Sequence, residues 1–193
     1  MKYKSIARVP AALLSVFISC SAVAEATIDE IIVTADFRGR PASELPTSVS
    51  IIDARVIEEA AVQHFEELVN IVPNLSWSGD GHRARYFQIR GVGELEQYQG
   101  APNPSVGFLI DDIDFSGIGT IATLFDVESI EVLRGSQGSR YGANALGGLI
   151  YMRSTEPSAE RNGRVQLQVG DDDAVTFGAA FGGALDDDES VLF

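Results

Sequence analysis

The stretch Ser129–Arg153, SIEVLRGSQGSRYGANALGGLIYMR, decides how the rest of the chain is read. Ser129–Leu133 and Leu149–Met152 are apolar runs rich in β-formers. Between them lie five glycines in fourteen residues: Gly135, Gly138, Gly142, Gly147 and Gly148. The pattern predicts strand, glycine loop, strand. Glycine at that density serves backbone at positive φ, or a neighbouring wall too close for a Cβ. A phosphate-binding loop is excluded, because Gly148 and Leu149 follow the Gly142-to-Gly147 gap where a lysine and a hydroxyl belong. No GxGxxG opens a helix here either. An ordinary long surface loop is the alternative left open, although Tyr141, Leu146 and Leu149 are more apolar than a solvated surface connection needs.

With these residues in view, IEVLRGSQGSRYGANALGGLIYM resembles the signature near the end of the plug domain of TonB-dependent outer-membrane receptors, usually IEVLRGPxGxLYGxxAxGGxINI. The chain departs from that pattern at Ser136, Arg140 and Tyr151, where proline, leucine and asparagine are usual. It keeps the glycines, Arg134, Tyr141 and a strand on each side. FQIRG (Phe87–Gly91) and SVGFLIDDI (Ser105–Ile113) are similar to the family's FSIRG and VYVDGV stretches. The resemblance therefore extends over nearly all of Glu30–Arg153.

The chain has 193 residues, enough for one ordinary domain and the beginning of another. Residues 1–24 read as a secretory signal: Lys2, Lys4 and Arg8 precede a mostly apolar run, and Ala22-Val23-Ala24 offers a cleavage site. Pro10 leaves that run too short for a comfortable membrane span. The one cysteine, Cys20, lies inside the signal, so the mature chain is expected to carry neither disulfide nor thiolate metal site. Removing the signal takes away three of fourteen basic residues and none of twenty-eight acidic ones, which moves the formal charge from −14 to −17. Such a chain repels nucleic acid and anionic lipid surfaces.

Residues 25–46 form the N-terminal segment and linker. Ile28–Ala35 is β-prone and suits either an ordinary first strand or a peptide strand that adds to a partner sheet. By resemblance, Glu30, Ile31, Ile32, Val33, Thr34 and Ala35 look like a TonB box, the segment that recruits the energy-transducing protein TonB from the periplasmic side. Ten extended residues reach about 35 Å, so Glu25–Thr34 is expected to hang clear of the folded domain. The short distance from cleavage site to box leaves no room for an N-terminal signalling domain.

Residues 47–157 are the expected plug. Ser48–Ile52 reads as a strand, and Asp53 as the N-cap of a helix through Ala60. Phe65, Leu68, Val69 and Val72 follow helical spacing until Pro73. His64 has no accompanying ligand pattern and reads as a surface or packing residue. Ser76–Arg85 has turn chemistry, Tyr86–Arg90 and Val106–Ile110 read as strands, and Asp111-Asp112 as a turn that Asp-Gly would make better. Mixed short strands and two short helices give an α+β class. The resemblance places loops Ser78–Arg85, Gly93–Pro104 and Asp114–Thr120 near the outward apices where substrate is met. His82, Arg83, Tyr98, Gln99 and Asn103 are its candidate contacts, each also readable as a solvated loop residue. Arg90 and Arg134 each end a strand before glycine. The resemblance implies pairing with acidic residues of the barrel wall, and an exposed strand-end arginine is the alternative.

Residues 158–193 carry Arg164–Val169 and Val175–Leu185, which alternate like the first two strands of a transmembrane barrel. A soluble hairpin fits the same alternation. A barrel of this kind needs about 22 strands, so the chain reads as a receptor cut soon after its plug.

The function these readings imply is energised uptake of a scarce ligand, most commonly an iron–siderophore complex, with TonB as partner and the outer membrane as location. Haem, cobalamin or a glycan are not distinguished from it. A stand-alone soluble periplasmic plug-like binding module is the alternative. There is no GxSxG, metal cluster or P-loop lysine, so no enzyme, cofactor or metal is expected.

Overall fold

The computed structural model describes residues 32–33, 40–44, 46–79, 83–96, 103–118, 123–171, 173–186 and 191–192. All fall in one compact unit, Ile31–Phe193. The signal segment, the box residues Glu30, Ile31, Thr34 and Ala35, and the loop candidates His82, Tyr98 and Gln99 lie outside the described residues.

In chain order the elements are β1 (Ile32–Val33), β2 (Arg40–Pro41), β3 (Ser48–Asp53), α1 (Ala54–Ala60), α2 (Phe65–Leu68), β4 (Leu75–Ser78), β5 (Tyr86–Ile89), β6 (Val106–Ile110) and β7 (Ile113–Asp114). There follow β8 (Val127–Arg134), α3 (Gly138–Tyr141), β9 (Gly148–Ser154), β10 (Asn162–Val169) and β11 (Val175–Gly182). Single 3-10 turns lie at Ala42–Glu44, Val69–Ile71 and Gly142–Asn144.

A five-stranded mixed sheet in the order β3-β8-β9-β6-β7 organises the domain. Only the β6–β9 pair is parallel. The two central strands, β8 and β9, come from the runs that flank the glycines. Because side chains alternate along a strand, Ile130 and Val132 point with Ile150 and Met152 into the main core, where α1, α2 and the β4–β5 hairpin cover them. Phe65, Phe87 and Phe108 meet at its centre with ring centroids 5.2–5.5 Å apart. Leu133, Leu149 and Tyr151 face the other way and form a second cluster with Leu109 and Val33.

Asp53 caps α1 as its position predicts, accepting the Val56 N–H at 2.8 Å. Three details differ from the sequence expectation. Leu75–Ser78 is a strand rather than part of a turn, paired with Tyr86–Ile89, and the polar serines are accommodated because their hydroxyls bond across the hairpin. The glycine segment is not an open loop but contains α3 and a 3-10 turn. The Asp111-Asp112 turn forms without glycine, at φ +47° and +68°. It is held there by its own carboxylates: Asp111 accepts the Ser154 N–H and hydroxyl at 2.8 and 2.7 Å, and Asp112 accepts the Tyr151 hydroxyl at 2.9 Å.

The N-terminal strand is docked, not free. Val33 is 0% exposed, and β1 pairs antiparallel with β2. An apolar β-branched residue gains about 1.5–3 kcal/mol by full burial, which opposes the expected clear-hanging segment at this residue.

The β10–β11 hairpin has the reverse polarity of a soluble one. Its register brings Val165 opposite Ala179, Leu167 opposite Phe177 and Val169 opposite Val175 on one face. The large residues of that face are 63–72% exposed. The polar face, with Arg164, Gln166 and Gln168, turns toward α1. Among the described residues no helix is long and apolar enough to cross a membrane, a criterion that does not bear on strands.

Candidate functional site

Two arginines stand at strand ends, Arg134 as the last residue of β8 and Arg90 just after β5. Arg134 is buried, at 8% exposure. Its Nε and Nη2 donate to the Pro73 carbonyl at 3.2 and 3.1 Å, Nη2 to Ser50 Oγ at 2.6 Å, and Nη1 to Ser48 Oγ at 3.4 Å. All of these partners are neutral oxygens. Among the described residues no carboxylate pairs with it. Burial lowers the Arg134 pKa, and the nearby Arg90 charge lowers it further. Arg90 is exposed at φ +55°, with its N–H donating to the Asn74 carbonyl at 2.8 Å. The exposed strand-end reading fits Arg90 and not Arg134.

The glycines divide by role. Gly135 and Gly142 hold φ +97° and +75° with open space around them. Gly147 and Gly148 are places of close approach: a Cβ would stand 2.9 Å from Val92 at the first and 2.5 Å from the Leu133 carbonyl at the second. Gly138 meets neither demand, its nearest neighbour being Ser136 Oγ at 3.7 Å.

Around the second core cluster, Tyr151 and Tyr141 lie near Asp112. The Tyr141 pKa is pushed up to about 12, first by burial and then by the Asp112 and Glu131 charges, with Arg140 opposing. An unfolded tyrosine titrates near 10, so the native state holds this proton more tightly. The stability it contributes is complete below about pH 10 and is lost as pH rises towards about 12. Tyr141→Phe is therefore expected to make the alkaline fall in stability shallower, as measured by urea midpoints across that window. Parallel falls in variant and wild type would count against it.

Of the predicted loop contacts, Arg83 is exposed and pairs with Glu66 of α2 at 3.3 Å, while Asn103 is exposed. The predicted loops meet at their bases, through residues the sequence did not single out. Gln88, buried in β5, donates its amide to Ser78 Oγ at 3.0 Å and to the Glu94 carbonyl, and accepts from Ser76 Oγ at 3.1 Å. Ser78 Oγ donates to the Glu94 carbonyl at 3.2 Å. The Glu94 carboxylate accepts the Ser105 N–H at 2.9 and 3.0 Å and the Ser105 hydroxyl at 2.6 Å. The one legible signal was Gln88, a polar residue in the otherwise apolar run YFQI. Glu94 and Ser105 sit in polar loops and give none.

The hairpin grips the body of the domain by its polar face. Arg164 pairs with Glu58 at 2.5 Å, Gln63 donates to Thr176 Oγ1 at 2.8 Å, and Gln168 donates to the Ala61 carbonyl at 2.5 Å. A cavity of about 260 Å³ remains between them, lined in part by His64, Gln166 and Thr176. His64 occupies the N-cap position of α2 and its backbone bridges to Thr123.

Residues 41–149 match the family described as TonB-dependent Receptor Plug Domain. The chain is 30% identical over 128 residues to the pesticin receptor of Yersinia pestis, which covers 66% of this chain and 19% of that protein. It is 29% identical over 164 residues to the ferrioxamine B receptor of Salmonella typhimurium, covering 78% of this chain and 21% of that one. Among solved structures, the ferric yersiniabactin uptake receptor of Yersinia pestis superposes with a TM-score of 0.65 at 29% identity, over 77% of this chain and 23% of that one. The chain thus spans about a fifth of the length of these curated relatives. Because the match over residues 41–149 takes in more than half of the chain and contains the mixed sheet almost entirely, the chain belongs to the TonB-dependent receptor plug domain family.

Proposed function

We propose that this chain is the plug-bearing N-terminal part of an outer-membrane receptor that takes up a scarce chelate, most commonly an iron–siderophore complex, with energy delivered by TonB at Glu30–Ala35. The observation that carries the reading is the hairpin. Its large apolar residues are 63–72% exposed on the face away from the plug, while its polar residues hold α1 and the α1–α2 turn. Lipid outside and a plug inside are the surroundings in which that polarity is favourable. In the soluble alternative the same face is left in water, where contiguous apolar surface drives association.

In this reading Arg90 and Arg134 meet acidic groups of the enclosing wall. A buried guanidinium held by neutral oxygens leaves its charge to be balanced from outside. Arg83 and Asn103 stay as described members of the ligand-facing set, with His82, Tyr98 and Gln99 as its further candidates.

The test is uptake by cells that make the receptor containing this chain and lack others of their own. Iron-labelled ferric yersiniabactin and ferrioxamine B, and labelled cobalamin, are supplied with and without TonB. TonB-dependent accumulation of one of them, with the protein in the outer-membrane fraction, is the expected result. Soluble periplasmic protein, or no TonB-dependent accumulation of any of the three, overturns the proposal.

A further inference from the structure

Along β10, Arg164, Gln166 and Gln168 share the face turned toward α1. The outer two are anchored there. Arg164 pairs with Glu58 at 2.5 Å, and Gln168 donates to the Ala61 carbonyl at 2.5 Å and accepts from the Gln63 amide at 3.2 Å. Gln166 stands half-buried between them with no hydrogen-bond partner among the described residues, and it lines the cavity of about 260 Å³. Its register partner on β11 is Gly178, where an added Cβ would stand 2.5 Å from the Phe125 ring. The absent side chain is what admits that ring to the lining. Ile57 and Val62 extend the apolar wall, and Thr123 and Thr176 add hydroxyls. At about 30 Å³ per water, a space of about 260 Å³ matches about eight or nine waters, at the low end of ligand pockets.

We infer that this cavity is a binding site for an uncharged, hydroxyl-bearing ring compound of monosaccharide size, with the Gln166 amide as its polar anchor. A primary amide offers two donors and an acceptor, and sugar hydroxyls answer both. The C–H face of a pyranose packs on an aromatic ring and aliphatic side chains, which Phe125, Ile57 and Val62 supply. Charge is disfavoured, because the carboxylate and the guanidinium that border the cavity already neutralise each other. An acyl chain is disfavoured as well. The large apolar residues of the hairpin face the opposite way, so a glycolipid seated on them holds its headgroup away from Gln166. A free sugar is therefore the occupant. The anchored neighbours on either side already fix this stretch of β10, so binding has little ordering entropy to offset.

The experiment uses the whole receptor containing this chain, purified in an amine-oxide detergent, which carries no sugar. D-Glucose and its phosphate monoester are the probes, and saturation-transfer NMR is the readout. The wild type is expected to bind glucose with a Kd of about 1 mM, and the phosphate ester about tenfold more weakly. Gln166→Leu should weaken glucose binding about tenfold, and Gln166→Asn, which keeps a shorter amide, by a smaller factor. Urea midpoints check that both variants fold. Should the leucine variant not fold, the asparagine variant and the phosphate ester decide. Absence of saturation transfer to glucose in the wild type overturns the site. Equal glucose affinity in the wild type and the folded Gln166 variants places the sugar elsewhere and overturns it too. Equal affinity for the phosphate ester overturns the neutral ligand class. Neither TonB nor a ferric chelate enters the measurement, so failure here leaves the uptake proposal standing.

Discussion

Gly148→Val is expected to destabilise the plug by about 2–6 kcal/mol. Gly148 opens β9 directly opposite Arg134, and a Cβ built on it stands 2.5 Å from the Leu133 carbonyl oxygen and 2.6 Å from Ile89 Cδ1. The isoleucine methyl has somewhere to turn. The carbonyl has none, because it belongs to the backbone of the central β8–β9 pair. The φ of +157° adds a conformation that L side chains rarely adopt. Overpacking costs about 1–3 kcal/mol and backbone strain about as much again, against a total stability of about 5–15 kcal/mol for a domain. Gly142→Ala is the control, since φ there is +75° but nothing lies within 4 Å of the added Cβ. It should cost about 1–2 kcal/mol. Urea midpoints by circular dichroism distinguish the two. A valine variant no less stable than the Gly142 variant would show that strand β9 shifts to make room, and that close packing at Gly148 is not what holds the sheet.

The parts of the fold that were legible in the sequence depend on neighbours along the chain. The cap at Asp53 is a local hydrogen bond to Val56, and the β10–β11 alternation is a property of each strand by itself. The parts that were not legible depend on what lies across the fold. Arg90 and Arg134 have the same local setting, a strand end followed by glycine, yet one is exposed and the other buried. What separates them is the Pro73 carbonyl and the Ser50 hydroxyl, sixty-one and eighty-four residues from Arg134. The strand at Leu75–Ser78 was hidden for a similar reason. Its serines read as turn formers until Gln88 is placed beside them. The Asp111-Asp112 turn needed Ser154 and Tyr151 from β9 to hold two non-glycine residues at positive φ. At the candidate site, residue types pointed to the loops but not to their bases, because the Ser78, Gln88, Glu94 and Ser105 contacts span six to sixteen residues through loop connections.

Deleting Glu30–Ala35 is expected to abolish capture by TonB and also to destabilise the plug. A segment that only hung free would give the first effect without the second. The described part of this segment does not hang free: Val33 is 0% exposed within the cluster of Leu109, Leu133, Leu149 and Tyr151, and Ile32–Val33 pairs with Arg40–Pro41. Losing the burial of one valine costs about 2 kcal/mol, a large fraction of the stability of a domain. Strand addition by a partner needs a backbone edge, and β2 already pairs with Ile32–Val33. If TonB takes up Glu30–Ala35 as proposed, the docked and TonB-bound arrangements compete, and the stability of docking sets how readily the segment is released. Val33→Ala separates the two contributions. It removes two methyl groups from the cluster but keeps the backbone intact, so it should lower the urea midpoint modestly while strengthening TonB capture, because less free energy opposes release. Titration of the receptor with the periplasmic domain of TonB measures the second effect. If Val33→Ala weakens TonB binding, the valine is read by TonB directly and docking does not restrain the segment. If the deletion leaves the urea midpoint unchanged, the burial of Val33 contributes nothing to the stability of the plug.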